Sequence, residues 1–173
     1  MRESELLIAQ QDCDYCIKVI GRANFEYAPP IRELMHSIDK EKFNEMDIDL
    51  GRCTGMDSTF MGVLTMIALK AQSCKAKITI CNASDSNKHL LSSLGIAALF
   101  EFVDLDVDEK RDCWVGASKR SDNKLETAEI VFEAHDTLMR ADEGNIKKFE
   151  KVVEYARQDL EKVRDEQRGN AAE

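Results

Sequence analysis

The sequence predicts an α/β domain with a mixed, mostly parallel sheet, continued by a C-terminal α-helical hairpin. Three observations predict it. Strand-like runs at residues 15–20, 46–50, 77–81 and 99–103 are separated by single helical stretches, the order that right-handed crossovers lay onto one sheet. A further run at 5–10 is joined to the first of these by a short turn, Gln11 to Asp14, which makes an antiparallel hairpin at one edge. Composition then changes. Residues 1–104 hold 50 apolar and 26 charged side chains and residues 105–173 hold 25 and 31, so a core-forming stretch gives way to solvated helices.

Residues 5–10 (ELLIAQ) and 15–20 (YCIKVI) form the edge hairpin, and Gly21, Arg22, Ala23 and Asn24 make a polar break. Pro29 and Pro30 open a helix, where a missing N–H costs nothing; Ile31, Leu34, Met35 and Ile38 are its apolar stripe. Residues 46–50 (MDIDL) alternate apolar and acidic as a strand, and 51–56 read as a loop. Residues 58–72 are a helix apolar nearly all round, through Phe60, Met61, Val63, Leu64, Met66, Ile67 and Leu69. Such a helix is buried or keeps an apolar patch for a partner. Residues 77–81 (KITIC) are a β-branched strand, 84–94 a helix that Gly95 is placed to end, and 99–103 (LFEFV) the last strand.

The core, residues 1–104, thus runs β-β-α-β-α-β-α-β. A charged connector, 105–121, follows, with Asp106, Asp108 and Glu109 solvating it and Trp114 and Val115 docking it. Ser121 or Asp122 caps a helix whose stripe is Leu125, Ala128, Val131, Phe132, His135, Leu138 and Met139. After a break at Asp142, Glu143, Gly144 and Asn145, a second helix carries Ile146, Phe149, Val152, Val153, Ala156, Leu160 and Val163. One stripe each makes 122–166 a helical hairpin that must bury its apolar side against itself, the core or a second chain. Residues 167–173 are a tail.

Charge and cysteine usage exclude several functions. With 24 basic and 33 acidic residues the net charge is −9, which argues against nucleic acid and against an anionic membrane surface as partner. No stretch approaches the roughly 20 apolar residues of a membrane span, and the start of the chain lacks the basic-then-apolar order of a signal peptide; a soluble, cytoplasmic protein is expected. Cys13, Cys16, Cys53, Cys74, Cys81 and Cys113 stand in apolar surroundings and read as small buried hydrophobes. The Cys13/Cys16 pair lacks a second pair or spaced histidines, so no metal is expected. Neither a P-loop nor a Gly-x-Gly-x-x-Gly fingerprint surrounds Gly51, Gly55 and Gly62, and no cofactor is expected.

What stands there instead is Asp47 to Leu64, DIDLGRCTGMDSTFMGVL: strand, short loop, Asp57-Ser58, then a helix with Gly62 at its fifth position. This resembles the STAS domain, the family of anti-sigma factor antagonists and sulphate-transporter C-terminal domains. The element order agrees, as do Ile78 to Asn82 (ITICN) and Leu90 to Ile96 (LLSSLGI) before Leu99 and Phe100. Many bacterial antagonists read Asp-Ser-Ser-Gly-Leu-Gly where this chain reads Asp57-Ser58-Thr59-Phe60-Met61-Gly62, and Phe60 is expected to alter the neighbouring surface.

The resemblance implies a non-enzymatic switch. Ser58 is the implied phospho-acceptor, with Thr59 second. The implied partner-binding surface is Arg52, Thr54, Met56, Asp57, Ser58, Thr59, Phe60, Met61 and Gly62. The implied partners are an anti-sigma factor with Ser/Thr kinase activity and a resetting Ser/Thr phosphatase. A helix N-terminus tolerates a phosphate, and a hydroxyl there caps the helix when unmodified, while Asp57 either caps the helix itself or is read by the kinase. Phosphorylation would spoil an interface without moving the fold. The alternative is a scaffold or accessory subunit of a sensory or transporter-associated assembly, using the hairpin to oligomerise, a homodimer included. A small-ligand sensor is the third reading.

The remaining constellations read as structure. Met56, Met61 and Met66 are five residues apart and share no helix face, so they fill core. His36, His89 and His135 are isolated packed or surface residues, and no catalytic cluster is placed. Asp47 and Asp49 share a strand face, a polar one.

Overall fold

The structure, a computed structural model, describes residues 4–38, 43–105, 114–117 and 123–170. The strands are β1 (Glu5–Gln11), β2 (Asp14–Ala23), β3 (Glu45–Met56), β4 (Lys77–Cys81), β5 (Glu101–Val103) and β6 (Val115–Gly116). The helices are α1 (Ala28–Ser37), α2 (Ser58–Cys74), α3 (Asp85–Ser93), α4 (Lys124–Ala141) and α5 (Ile146–Asn170). The sheet order is β5-β4-β3-β2-β1-β6. The pairs β2–β3, β3–β4 and β4–β5 are parallel, and β1 is antiparallel to β2, as predicted.

Two differences concern the strands around the site. The predicted break at 21–24 and loop at 51–56 are largely one strand pairing: Ile20 faces Arg52, Gly21 faces Cys53 and Ala23 faces Met56 across two register shifts. Polar and glycine side chains suggested loop, but β2 continues beside them and supplies the ladder partners; Gly21 has φ +74°, which absorbs the irregularity. Secondly, β6 pairs antiparallel with β1 outside the predicted edge. Two exposed residues, Val115 and Gly116, carry no periodic signal, and backbone pairing alone makes this strand.

One face of the sheet, with Ile17, Met46, Ile48, Leu50 and Ile80, is sealed under α1, α2 and α3 through Ile31, Leu64, Ile67 and Leu91. The other face carries the predicted Asp47 and Asp49, both buried, with Lys18, Thr79, Cys16 and Cys81. Lys18 Nζ lies 3.8 Å from Asp49 Oδ2 and 5.5 Å from the Trp114 ring centre. Trp114 therefore docks the connector, as expected, while the Val115 side chain is exposed. The Asn82 side chain ties the same segment down, donating to the Leu105 carbonyl at 2.7 Å and accepting from its N–H at 3.0 Å.

The hairpin lies on the helical layer. Helix α4 crosses α1 and α2, and α5 packs on α4. Asn123 caps α4, its side chain accepting from Leu125 N and Glu126 N; the predicted caps Ser121 and Asp122 lie outside the described residues, as do Cys113, Asp106, Asp108 and Glu109. The turn between α4 and α5 is anchored to the end of α3. Asn145, fully buried, donates to the Leu94 and Leu138 carbonyls at 2.8 and 2.9 Å, and Lys148 donates to the Ser93 carbonyl at 2.7 Å. Gly95 (φ +68°) ends the turn after α3, and Asp142 stands where its Cβ would be. Helix α5 continues to Asn170, past the predicted end near residue 166.

Candidate functional site

The site forms where β3 runs into α2. Asp57 has extended backbone (φ −91°, ψ 171°), and its Oδ1 accepts from Phe60 N at 2.8 Å, so Asp57 is the N-cap. Its Oδ2 accepts from Phe25 N at 2.9 Å, fastening the 3-10 turn before α1 to the same carboxylate. Asp57→Ala is expected to lower stability by about 1–2 kcal/mol, measured as a lower urea midpoint at unchanged slope. Ser58 is the first residue inside the helix. The expectation that its hydroxyl caps α2 is therefore corrected: the longer Asp57 side chain reaches the free N–H, and the Ser58 hydroxyl is turned elsewhere.

It is turned to α4. Ser58 Oγ lies 2.9 Å from His135 Nε2, and His135 Nδ1 lies 2.8 Å from the Val131 carbonyl oxygen. A carbonyl can only accept, so Nδ1 carries a proton, and in that neutral tautomer Nε2 accepts from the Ser58 hydroxyl. His135 is 4% exposed and its ring meets Phe149 of α5 edge-on at 5.1 Å. One turn along α2, a Cβ built on Gly62 would stand 2.6 Å from both the Cβ and the carbonyl oxygen of Ala134, so this is a close backbone approach of the two helices. Beside it, Arg32 of α1 donates from Nε and Nη2 to the two carboxylate oxygens of Glu133 at 3.0 and 2.9 Å. Glu129 lies 3.6 Å from the same guanidinium and bonds Arg164 of α5 at 3.1 Å. The hydrogen bond to Glu133 raises the Arg32 pKa above its ordinary value, against the opposing effect of burial.

The structure divides the predicted partner surface. Arg52 and Thr54 are exposed on β3, and Asp57 and Ser58 are half-buried. Met56, Thr59, Phe60, Met61 and Gly62 are buried, Phe60 completely. Phe60 therefore does not shape a surface. It points into the core, and of the two readings of the apolar girth of α2, burial or a patch kept for a partner, the structure favours burial, with α4 lying over the start of the helix. Sequence reasoning missed Arg32, Glu133 and Ala134. For His135 a signal existed: a histidine stands on the apolar stripe of α4, a place where a polar ring needs a partner.

A Ser–His pair at a strand-to-helix turn raises the question of nucleophilic catalysis. The pair lacks the orienting carboxylate of a triad, since Nδ1 is spent on its own helix backbone. The half-open cleft of about 670 Å³ lies elsewhere, between the 3-10 turn, α4 and α5, and is lined by Phe25, Pro29, Val131, Ala156 and Val163 among others, with neither Ser58 nor His135. Burial pushes the Cys53 thiol up, opposed by hydrogen bonds at Gly55 and Ala23, which disfavours a thiolate nucleophile beside the site. Among the described residues no group of three or more His, Cys, Asp or Glu is placed to hold a metal, and no helix is long and apolar enough to cross a membrane.

Residues 6–110 match the model of the STAS domain; α4 and α5 lie beyond the matched stretch. No curated protein sequence matches the chain. Among solved structures, the fold is similar to the anti-sigma factor antagonist SpoIIAA in its unphosphorylated form, at 14% identity and a TM-score of 0.53, over 61% of this chain and 91% of that one. It is similar also to the Bacillus cell fate determinant SpoIIAA in the phosphorylated form, at 14% identity and 0.51, over 61% and 95%. A Thermotoga maritima structure assigned as an anti-sigma factor antagonist follows at 15% and 0.50, over 60% and 89%. At these identities the likeness is one of fold.

Proposed function

The chain belongs to the STAS domain family, and on that footing we propose that it is a non-enzymatic, phosphorylation-switched anti-sigma factor antagonist. Ser58 is the acceptor, and the partners are an anti-sigma factor with Ser/Thr kinase activity and a Ser/Thr phosphatase that resets the switch. The observation that carries this reading is the division of labour at the start of α2. Asp57 does the capping, so the Ser58 hydroxyl is spared from the helix cap and stands at the positive end of a 17-residue helix, where it meets His135. That end can receive an anion, and phosphorylation would add about −1.5 to −2 charges beside Asp57. The fold likeness to a protein solved in unphosphorylated and phosphorylated forms supports the same reading.

Exposed Arg52 and Thr54 remain open to such a partner, while Phe60, Met61 and Gly62 would meet it only indirectly. Ser58→Asp is expected to lose the kinase partner in a pull-down from native lysate, and Ser58→Ala to keep it. The natively expressed wild type is expected to carry one phosphate by intact mass, and Ser58→Ala none. Equal capture by the two variants would overturn the reading. The rival, assembly through the hairpin, has less apolar surface to draw on, since Ala134 and Leu138 of α4 and Val153, Ala156 and Leu160 of α5 are buried within the chain, but Ile146, Val152 and Tyr155 of α5 stay exposed for it.

A further inference from the structure

We infer that α4 is a built-in competitor for the face of α1 and α2 that the switch uses, so that hairpin docking and modification of Ser58 exclude one another. The inference rests on Ser58 being the acceptor. Three consecutive residues of α4 make the contact. Glu133 holds Arg32 of α1 in two parallel hydrogen bonds, Ala134 fills the notch at Gly62, and His135 takes the Ser58 hydroxyl. The face thus fits an amphipathic helix that offers a carboxylate, a small residue and a hydrogen-bond acceptor in succession, and the chain supplies that helix itself.

Space and charge both make the states exclusive. A phosphoryl group adds a phosphorus and three oxygens where His135 stands 2.9 Å from Ser58 Oγ. The seam has no slack to give, because one turn away the helices already meet too closely for a methyl group on Gly62. The His135 ring is held by Val131 and Phe149 and cannot swing aside alone. The arginines around the seam are already engaged: Arg32 by Glu129 and Glu133, Arg164 by Glu129 and Arg140 by Asp136, while Asp57 lies beside Ser58. A dianion there meets repulsion from the docked hairpin. A kinase, for its part, must take the hydroxyl into its own active site, which α4 blocks while docked. The coupling is reciprocal: whatever lifts α4 exposes Ser58, and whatever modifies Ser58 lifts α4.

Amide hydrogen exchange on the full chain, read by mass spectrometry, tests this without any partner. In the wild type, α4 amides should exchange faster than those of β3 and β4, by opening of the hairpin alone. Arg32→Glu, set against Glu129 and Glu133, and Ser58→Asp should each speed α4 exchange by about tenfold while β3 and β4 stay unchanged. Arg32→Ala should act in the same direction by a smaller factor, which guards against a charge reversal that merely misfolds. The competitor idea fails if α4 exchanges in step with the sheet in the wild type and in every variant, or if Ser58→Asp leaves α4 unchanged. Unaltered partner capture by Ser58→Asp with α4 opening as expected would instead remove the acceptor reading alone.

Discussion

Phe60→Ala is expected to destabilise the protein by about 3–5 kcal/mol, the range for truncating a buried aromatic to alanine. Phe60 sits in the first turn of α2 with no exposed area, in the cluster formed with Ile48, Leu50 and Leu64. Its position two residues after Ser58 made it a candidate for the partner surface, and the two roles predict different outcomes. A surface contact would leave stability within about 0.5 kcal/mol and act only on binding. A core residue lowers the urea midpoint sharply, and any loss of binding then follows from loss of the fold. Equilibrium urea unfolding decides between them, and a change below about 1 kcal/mol would show that the site relaxes far more than the packing suggests.

Gly62→Leu should separate α4 from α2 while the sheet stays folded. The first added atom would stand 2.6 Å from the Ala134 carbonyl oxygen and Cβ. The oxygen is helix backbone and the Cβ is fixed directly to it, so neither can yield locally and the hairpin must shift as a body. Overpacking of this kind costs about 1–3 kcal/mol or more, and 3 kcal/mol is about a hundredfold in the opening equilibrium. Within α2 itself the substitution is favourable, since Leu is the better helix former by nearly 1 kcal/mol. The expected result is rapid proteolysis at 123–170 with β2 to β5 still protected. Gly55→Ala is the control: nothing lies within 4 Å of that position, and it should be silent. Wild-type resistance to proteolysis in Gly62→Leu would mean the two helices can part without undocking.

The legible part of this protein is the part set by local rules. The alternation in 46–50 placed Asp47 and Asp49 on one face, and they are found there beside Lys18. The Asp-Ser start of α2, its apolar girth and Gly95 after α3 were readable because caps and periodicity act over a few residues. The strand through 51–56 was not, because its only advocate is the neighbouring strand: Arg52 and Thr54 are exposed and Gly51 has no side chain to pack. The same holds for Val115 and Gly116, which are a strand only because β1 has a free edge there.

The candidate site divides along the same line. Motif and position named Asp57 and Ser58, and the structure assigns the cap to the first and leaves the hydroxyl of the second for another partner. That partner, His135, lies 77 residues away, together with Glu133 for Arg32 and Ala134 for Gly62. An amphipathic stripe states that one side of a helix must be buried, but not against what; several surfaces satisfy it equally in the one-dimensional pattern. By itself the sequence determined the succession of strands and helices in the core, the family and the serine at the head of α2, because each rests on residues that are neighbours in the chain. Only the tertiary structure decided that the hairpin lies over that serine. The choice depends on complementarity between a glycine notch, a guanidinium and a hydroxyl that the fold brings together from α1 and α2, and no spacing along the chain records it.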